Sequence, residues 1–396
     1  MSYPFLKLKK NEERRIRAGH LWVFSNEVNT QETPLNAFTA GDIVTLVSAS
    51  GNPLGNAYIN PQSLICARLY THNPAQALDK NLLRTRMEQA LQLRQKRFSD
   101  PFYRVVYSEG DLLPGLVVDR FDNCLVLQTS TLGMDIRQQE IVEALDETLQ
   151  PDSIILNNNT GSRKLEGLTT SVEVIKGQPA DTLPVLENNA RFIVPTITGQ
   201  KTGWFYDHRD NRQAMTHWVN GARVLDVFSY VGAWGIQAGL AGAQQVTCIE
   251  SSGSACEFIA ANAKQNDVIE KTTIIQSDAF EALTQLKQDK EKYDLVIVDP
   301  PAFIKRKKDL KQGAIAYQRL NKLAMQMLDE NGILISASCS YHFSREQHLK
   351  TLRDCARQCG RQLQILEEGH AGADHPRHPA IPETSYLSCF TVRLLK

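Results

Sequence analysis

The sequence predicts an α/β protein whose C-terminal half is a doubly wound parallel sheet, preceded by a small β domain and a central α+β domain. From about residue 195 onward, apolar strands alternate with helical stretches, as in RVLDVFS, QVTCIES, TTIIQSD, DLVIVDP and GILISASCS. This alternation is the rhythm of βαβ units. Before residue 80 the pattern is different, since short apolar runs are separated by Gly, Asn and Pro.

These changes of pattern divide the chain into three predicted domains. Residues 1–72 carry short strands and turns, as in GDIVTLVSASGNPLGNAYIN and LICARLY, and predict the small β domain. Residues 73–190 include NLLRTRMEQALQLRQKRF, whose apolar residues recur at helical spacing, and predict the α+β domain. Residues 191–396 form the doubly wound domain.

Composition and charge narrow the class of protein. Lys plus Arg and Asp plus Glu are 44 each, so the formal net charge is zero, and no overall field points to a polyanionic partner. The N-terminus MSYPFLKLKKNEER is too polar for a secretory signal, and no apolar run is long enough for a bilayer span. We expect a cytoplasmic protein with no membrane association, in which the eight scattered cysteines are reduced thiols.

Acidic residues follow three successive predicted strands. Asp226 ends the first in VLDVFSYVG, Glu250 ends the second, and Asp278 ends the third in IIQSDAF. A carboxylate in the position of Glu250 can accept hydrogen bonds from both hydroxyls of a ribose, and Asp278 could reach an adenine amino group. Acids are also common at strand ends because turns favour them, but three in succession favour a nucleotide-like ligand.

The turn after the first of these strands indicates which nucleotide-like ligand the site binds. Its sequence FSYVGAWG contains Phe228, Ser229, Tyr230 and Gly232, which are predicted cofactor contacts. It does not match G-x-G-x-x-G, the pattern that lets a pyrophosphate approach the helix N-terminus. A ligand with ribose and no phosphate fits better than a dinucleotide, and S-adenosylmethionine is the common one.

Several motifs together resemble a known family. VLDVFSYVG, SDAF, DPPAF and SCS look like the motifs of class I S-adenosylmethionine-dependent methyltransferases, whose fold is Rossmann-like. GHLWVFSNEV, EGDLLPGLVVDRF and GQKTGWFYDHRDNR extend the likeness, and nearly the whole chain resembles the bacterial large-subunit ribosomal RNA cytosine-C5 methyltransferase family. The resemblance implies a PUA-like RNA-binding domain in residues 1–72 and 5-methylcytosine in 23S ribosomal RNA as the product. A homodimer is a further hypothesis, since related enzymes form dimers.

The resemblance also implies a catalytic pair, Cys339 and Asp299. In class I methyltransferases the strand before DPPAF lies beside the strand before SCS, so both residues are expected at the edge where ligands bind. Carbon 5 of cytosine is a poor nucleophile, and a thiolate added to carbon 6 makes it enamine-like. Cys339 is the predicted thiolate. Asp299 would contact the cofactor and hydrogen-bond N3 and the amino group of the base.

Other interpretations stay open. DPPAF lacks the second cysteine of the better-known RNA cytosine-C5 enzymes, so the base that removes the carbon 5 proton is not identified. Cys339 could be a small buried thiol. An RNA N-methyltransferase acting on guanine or adenine would use Asp-Pro-Pro and an aromatic residue, although Phe303 is one residue late for that pattern. A non-catalytic RNA-binding assembly factor would be expected to lose the cofactor acids, which are present.

Two basic clusters are candidates for binding RNA phosphates. One lies at the N-terminus and the other, KRKKDLK, begins two residues after Phe303 of DPPAF. The predicted RNA contacts are Lys7, Lys9, Lys10, Arg14, Pro300, Pro301, Phe303, Lys305 and Arg306. A flipped-out base could stack on Phe303 or Tyr341. A solvated charged surface is the alternative interpretation of either cluster.

Two further segments carry hypotheses. From the resemblance, GQKTGWFYDHRDNR is expected to close over the cofactor, with the candidate residues Lys201, Thr202, Tyr206, Asp207 and Arg209, of which Tyr206 is a predicted cofactor contact. The alternative is a helix start that only docks domains. In ADHPRHPAIPETSYL, the prolines favour a loop lining the substrate cleft over a metal site at Asp374, His375 and His378. No metal is expected.

Overall fold

The protein was analysed as a computed structural model that describes residues 3–197 and 202–396. Its chain forms two compact units. The first comprises Met1–Leu183, Pro195–Trp204 and Ala373–Thr384, and the second comprises Pro184–Val194, Phe205–Gly372 and Ser385–Lys396. None of the helices within the described ranges combines the length and the hydrophobicity that a membrane span requires.

A five-stranded sheet forms the N-terminal part of the first unit. Its strands are β1 (Phe5–Lys7), β2 (Trp22–Phe24), β3 (Ile43–Val47), β4 (Pro53–Ile59) and β5 (Ile65–Thr71), in the order β1-β3-β4-β5-β2, with a short helix α1 (Glu13–Arg17) after β1. β1 is parallel to β3, and the other pairs are antiparallel. The buried side chains of these strands form one apolar core that includes Leu6, Val44 and Ile59. The small β domain predicted from the sequence is present.

A second five-stranded sheet follows in the same unit. Its elements are α2 (Lys80–Arg97), β6 (Phe102–Tyr107), β7 (Leu116–Phe121), β8 (Cys124–Thr129), α3 (Leu132–Asp135), α4 (Gln138–Leu149), β9 (Ser153–Asn157) and β10 (Val172–Lys176). The strand order is β10-β9-β8-β7-β6. Asp79 caps α2 by accepting the N–H of Leu82 at 2.9 Å, which explains why this amphipathic stretch begins at residue 80.

The second unit opens with a hairpin, β11 (Thr182–Glu187) and β12 (Ala190–Pro195). The elements that follow are α5 (Arg209–Met215), β13 (Arg223–Val227), α6 (Ala233–Leu240), β14 (Gln245–Glu250), α7 (Gly253–Gln265), β15 (Thr272–Gln276), α8 (Ala279–Gln288), β16 (Tyr293–Val298), α9 (Leu310–Met327), β17 (Leu328–Ser338), α10 (Arg345–Gln358), β18 (Gln362–Gly369) and β19 (Ser388–Leu395). Each predicted βαβ repeat is therefore present.

The large sheet of this unit has seven strands in the order β15-β14-β13-β16-β17-β19-β18. β13 to β17 pair in parallel, as predicted. β19, however, is antiparallel to both β17 and β18, so the sheet is mixed and not wholly parallel. The chain turns back after β18 without a crossover helix, and antiparallel pairing is what such a connection allows.

The segment Ala373–Thr384 lies between β18 and β19 in the chain but belongs to the first unit. Asp374 accepts hydrogen bonds from Arg94 Nη2 on its backbone carbonyl and from the N–H of Arg104 on its carboxylate, both at 3.0 Å. Ile381 is buried in the core of the N-terminal sheet. The predicted boundaries at residues 72 and 190 stay predictions, and this returning segment was not part of them.

We predict that Gly133→Ala destabilises the first unit. A Cβ at Gly133 would come 2.2 Å from the ring of buried Tyr58, which overpacks the interior at a cost of ~1–3 kcal/mol. Gly161→Ala is the matched control, because nothing lies within 4 Å of its added Cβ. Urea unfolding of the full chain should show a lower midpoint for Gly133→Ala only. Equal midpoints for the two variants would contradict the packing argument.

Candidate active site

The turn between β13 and α6 has a constrained backbone. Phe228 and Tyr230 have φ of 67° and 52°, in the left-handed region that residues other than glycine rarely adopt, and Gly232 has φ of 88°. A Cβ on Gly232 would lie 2.7 Å from Ile236 Cδ1. Backbone conformations of this kind persist where the surroundings hold them, often at ligand sites.

Asp226 is fully buried and forms hydrogen bonds that stabilise this turn. Its Oδ2 accepts the N–H of Gly235 at 3.0 Å, and Ser229 Oγ donates to its backbone carbonyl at 2.8 Å. Its Oδ1 has no hydrogen-bond partner among the described residues, and burial raises the pKa of Asp226 to about 7. Asp226 thus acts on the turn, and its direct contact with a cofactor stays a prediction.

Glu250 joins the turn to the next strand end. Its Oε2 accepts the N–H of Tyr230 at 2.9 Å, and its Oε1 accepts the N–H of Ser252 at 2.8 Å. Ser251 Oγ also donates to Oε1 at 3.3 Å. An ionised carboxylate has about four acceptor sites, so these three bonds leave one on Oε2 for a ribose hydroxyl. The predicted role of Glu250 fits this position.

Asp278 follows β15 and is exposed. It caps α8 by accepting the N–H groups of Phe280 at 2.8 Å and Glu281 at 3.2 Å. This cap explains an acid here without a ligand. The adenine contact predicted for Asp278 remains a prediction. The three acids nevertheless lie where the neighbouring strands β13, β14 and β15 end, which is the edge that the sequence indicated.

These features suit S-adenosylmethionine. Gly232 permits the left-handed backbone of the turn, and Glu250 keeps an acceptor for a hydroxyl group. Tyr206 is 1% exposed, and the guanidinium of Arg209 lies 5.1 Å from its ring centre. Tyr206 is therefore a packed aromatic residue of the second unit. Its contact with the cofactor stays a prediction.

Asp299 follows β16 and is bound on both carboxylate oxygens. His208 Nε2 lies 3.3 Å from Oδ1, and Trp234 Nε1 donates to Oδ2 at 3.1 Å. Burial raises the pKa of Asp299, but the neighbouring His208 and the hydrogen bond from Trp234 outweigh burial, so the pKa lies below its ordinary value. About a fifth of the side chain stays exposed. Asp299 is therefore an ionised carboxylate that is partly accessible to solvent.

Cys339 lies beside this aspartate's strand end, as predicted. β16 pairs with β17 so that Val298 is opposite Ser336, and Cys339 Sγ lies 3.9 Å from the carbonyl of Pro300. Cys339 is half-buried. The strand ends before DPPAF and after SAS are therefore adjacent.

Hydroxyl groups hold the cysteine loop on both sides of Cys339. Ser338 Oγ donates to Tyr317 Oη at 2.9 Å, and the hydroxyls of Tyr317 and Ser340 lie 2.9 Å apart. Ser340 Oγ accepts the N–H of Ile304 at 3.1 Å. This network joins the loop after β17 to the segment after DPPAF and fixes the thiol against it.

The other seven cysteines share one property. Burial raises the pKa of each of these thiols, to about 12 for Cys66 and Cys355, and this also applies to Cys124, Cys248, Cys256, Cys359 and Cys389. A raised thiol pKa disfavours the nucleophilic thiolate. These seven residues are poor candidates for catalysis.

Phe303 is half-buried in an aromatic cluster. Its ring centre lies 4.9 Å from that of Tyr317, 6.4 Å from Phe280 and 6.5 Å from Phe228. Of the two prolines, Pro300 is buried and Pro301 is exposed. Stacking of Phe303 on a target base stays a prediction, but the cluster already covers part of the ring.

The predicted RNA-binding cations are mostly at the surface. Lys305 and Arg306 are exposed, and Arg306 pairs with Asp309 at 3.1 Å. In the first unit Lys9, Lys10 and Arg14 are exposed, whereas Lys7 forms an ion pair with Glu32 at 2.5 Å. Exposure fits phosphate binding, although solvation alone would also explain it.

The GQKTGWFYDHRDNR segment is mostly buried. Lys201 lies outside the described residues, and Thr202 Oγ1 donates to Asp119 in the first unit at 2.5 Å. Asp207 and Arg209 are buried in the second unit, and Tyr386 donates its hydroxyl hydrogen to Asp207. The segment is therefore a packed part of each unit, and its predicted closure over the cofactor is untested.

The loop that contains Asp374, His375 and His378 also has a packing role. Asp374 Oδ1 and His375 Nδ1 lie 2.8 Å apart and are both buried. Among the described residues no group of three or more His, Cys, Asp or Glu side chains is arranged to hold a metal ion.

Sequence reasoning missed three residues that shape the site, namely His208, Trp234 and Tyr317. His208 stands within GQKTGWFYDHRDNR and Trp234 stands in the FSYVGAWG turn, but neither had a local signal for its contact with Asp299. Tyr317 lies in the middle of α9, where an aromatic residue usually indicates core packing.

Comparisons with known proteins agree with this architecture. Residues 6–72 match the PUA-like domain family, and residues 164–360 match the S-adenosylmethionine-dependent methyltransferase family. A structure described as a SAM-dependent methyltransferase from Streptococcus mutans covers 98% of the chain and all of its own length, with 20% identity and a TM-score of 0.83. A second methyltransferase structure, complexed with SAH, has the same identity and coverage and a TM-score of 0.85. At this identity the likeness concerns the fold.

The fold and the strand-end site define a S-adenosylmethionine-dependent methyltransferase with an N-terminal PUA-like domain. Ribosomal RNA large subunit methyltransferase I of Yersinia pseudotuberculosis is 34% identical over 395 residues, which cover 98% of this chain and 99% of the relative. The protein of the same name from Yersinia pestis has the same identity and coverage. The chain belongs to this family of methyltransferases.

We predict that Gly232→Ala weakens S-adenosylmethionine binding by at least ~10-fold, or about 1.4 kcal/mol. The added Cβ would collide with Ile236 and displace the turn. Gly221→Ala is the matched control, since Gly221 also has a positive φ of 72° but nothing lies within 4 Å of its added Cβ. Calorimetric titration of both variants checks this. Equal loss of affinity in both would assign the effect to backbone strain alone.

Proposed function

We propose that the protein methylates carbon 5 of a cytosine in large-subunit ribosomal RNA through a covalent adduct with Cys339. The observation that carries this proposal is the position of Cys339 Sγ, 3.9 Å from the carbonyl of Pro300 and beside the Asp299 strand end. A thiol and an ionised carboxylate at one edge are the groups that cytosine-C5 chemistry needs. The name of the Yersinia relatives supports ribosomal RNA as the substrate.

The first proposed step activates the base. The Cys339 thiol gives up its proton and its sulfur forms a bond to carbon 6. The double bond then shifts from carbons 5 and 6 to carbons 4 and 5, and N3 takes up a proton in place of the one that the thiol released. The protonated N3–C4–N4 edge then has two parallel N–H donors, as a guanidinium has. Asp299 accepts both in a fork, and such charge-assisted pairs are stronger than neutral hydrogen bonds.

The later steps restore the base and the enzyme. S-adenosylmethionine supplies the electrophilic methyl group that carbon 5 accepts. A base then removes the carbon 5 proton, the double bond between carbons 5 and 6 forms again, the Cys339 thiolate leaves carbon 6, and N3 gives up the proton that it took up. The base is not assigned to a residue.

An N-methyltransferase would instead direct the base amino group at the methyl donor and leave Cys339 inert. That reaction needs an aromatic face after Asp-Pro-Pro that is free to stack. The packing of Phe303 against Tyr317 at 4.9 Å gives it less support than the cysteine mechanism.

RNA binding is the proposed role of the exposed cations. Lys305 and Arg306 follow DPPAF after Ile304 and are exposed, so they can bind phosphates next to a flipped base. The match of residues 6–72 to PUA-like domains supports a second RNA contact at Lys9, Lys10 and Arg14.

We predict that Cys339→Ala abolishes formation of 5-methylcytosine while S-adenosylmethionine binding is retained. Nucleoside mass spectrometry of ribosomal RNA treated with each variant and labelled cofactor measures the product. Cys256→Ala is the matched control, because Cys256 is also half-buried but lies on α7. Undiminished 5-methylcytosine from Cys339→Ala, or label on another base, would contradict the mechanism.

A trapped adduct tests the same mechanism directly. RNA containing 5-fluorocytosine should accumulate as a covalent complex with the wild type, because fluorine replaces the proton that must leave carbon 5. Denaturing electrophoresis should show the complex with the wild type and Cys256→Ala and not with Cys339→Ala. A complex that persists without Cys339 would assign the bond to another nucleophile.

We predict that the double variant Lys305→Ala, Arg306→Ala reduces the salt dependence of RNA binding. Each lost phosphate contact lowers the slope of log affinity against log salt by about 0.7 for single-stranded RNA, so the magnitude should fall by up to ~1.4. Lys264→Ala with Lys287→Ala, two exposed lysines in the last turns of α7 and α8, is the control. An unchanged slope would show that KRKKDLK is only solvated.

A further inference from the structure

His208 is a buried histidine with a defined set of partners. Its side chain is 4% exposed, and its Nε2 lies 3.3 Å from Asp299 Oδ1. Its ring centre lies 5.3 Å from that of Trp234. The imidazole is thereby placed between a carboxylate and an indole.

The partner of His208 Nδ1 determines which of the two ring nitrogens carries the hydrogen. Asn211 Nδ2 lies 3.1 Å from His208 Nδ1 and donates to the carbonyl of His370 at 3.2 Å. A carbonyl only accepts, so it identifies this Asn211 atom as the amide nitrogen, which only donates. Nδ1 is then the acceptor of the neutral imidazole, and Nε2 carries the hydrogen that points at Asp299.

Trp234 completes the arrangement from the opposite side. Its Nε1–H, which can only donate, reaches Asp299 Oδ2 at 3.1 Å. Each carboxylate oxygen thus has a nearly buried ring nitrogen within 3.3 Å. Because each oxygen has about two acceptor sites, one site on each can accept a further donor.

We propose that His208 is a positioning residue that, with Trp234, orients the Asp299 carboxylate as a fork for the N3 and N4 edge of the target base. This inference rests on the proposed function, since it assigns a role for Asp299 in that reaction. His208 cannot be the missing base toward the substrate, because its Nδ1 accepts from Asn211 and its Nε2–H faces Asp299.

Charged and titratable neighbours surround the carboxylate. Asp207, Asp226 and Cys389 lie close enough to interact electrostatically with Asp299. The two carboxylates favour the protonated form of Asp299, and the donated hydrogen bonds oppose them. Without the His208 bond the pKa of Asp299 rises. The ionised form is then lost at a higher pH as the solution is acidified, which is the direction expected for the acid limb of the pH profile.

The experiment compares His208→Gln, His208→Asn and His208→Ala in the full chain, with exposed His217→Ala as the control. The amide nitrogen of Gln can reach the position of imidazole Nε2, whereas that of Asn corresponds to Nδ1. We expect H208A and H208N to lower kcat/KM for RNA by ~10- to 100-fold, the effect of one hydrogen bond to a charged group. H208Q should recover at least ~10-fold of that loss.

Two measurements separate positioning from folding. The acid limb of kcat/KM should move to higher pH in H208A and return toward the wild-type position in H208Q, with cofactor affinity unchanged in both. In wild-type protein labelled with ¹⁵N-histidine, the His208 signal, identified by its loss in H208Q, should show a protonated Nε2 and an unprotonated Nδ1. The proposal is overturned if Nδ1 carries the hydrogen, if H208A keeps the wild-type rate and profile, or if H208Q recovers no more than H208N.

The readouts also distinguish this inference from the proposed function. If the product is not 5-methylcytosine but H208Q still rescues the rate and the profile, the fork geometry holds for another base edge and only the cysteine mechanism fails. If Cys339→Ala abolishes 5-methylcytosine while all His208 variants act like the wild type, the positioning role fails alone.

Discussion

The parallel pairing of β13 to β17 is the constraint on which the site depends. Parallel strands end at one edge of the sheet, and their loops then meet there. The register places Val298 opposite Ser336, which brings the loops after β16 and β17 together. A slip of one residue would turn every side chain of a strand to the opposite face, so the apolar cores on both faces of the sheet also fix the positions of Asp299 and Cys339.

The acids of the candidate site have structural roles. Glu250 and Asp278 accept hydrogen bonds from backbone N–H groups, and Asp226 holds the start of α6. The buried carboxylates of Glu250 and Asp226 need such partners because desolvation is costly. Their orientation is therefore set before a ligand arrives, which is the condition for low reorganisation cost during a reaction.

The sequence predicted the strand ends well, because apolar runs followed by acids or Asp-Pro-Pro are local patterns and the parallel rule then brings them together. It could not predict the contacts of His208 with Asp299 or of Tyr317 with Ser340, since these pairs are far apart in the chain and arise from packing. The antiparallel β19 was missed for the same reason, as strand direction depends on the connection and not on the apolar pattern. The helix cap at Asp278 was readable, because SDAFE places an acid just before a helix.

The segment Ala373–Thr384 returns to the first unit, and this has a consequence for folding during synthesis. Ile381 completes the apolar core around Leu6 and Val44, and Tyr107 donates to the carbonyl of Thr384 at 2.9 Å. The N-terminal part of the chain leaves the ribosome first, yet its core lacks these residues until the chain has been made to residue 384. β19 follows in the sequence and lies inside its sheet between β17 and β18. Both units therefore reach their final packing only after residues 373–395 have been translated, and until then the nascent chain exposes apolar surface that chaperones would recognise.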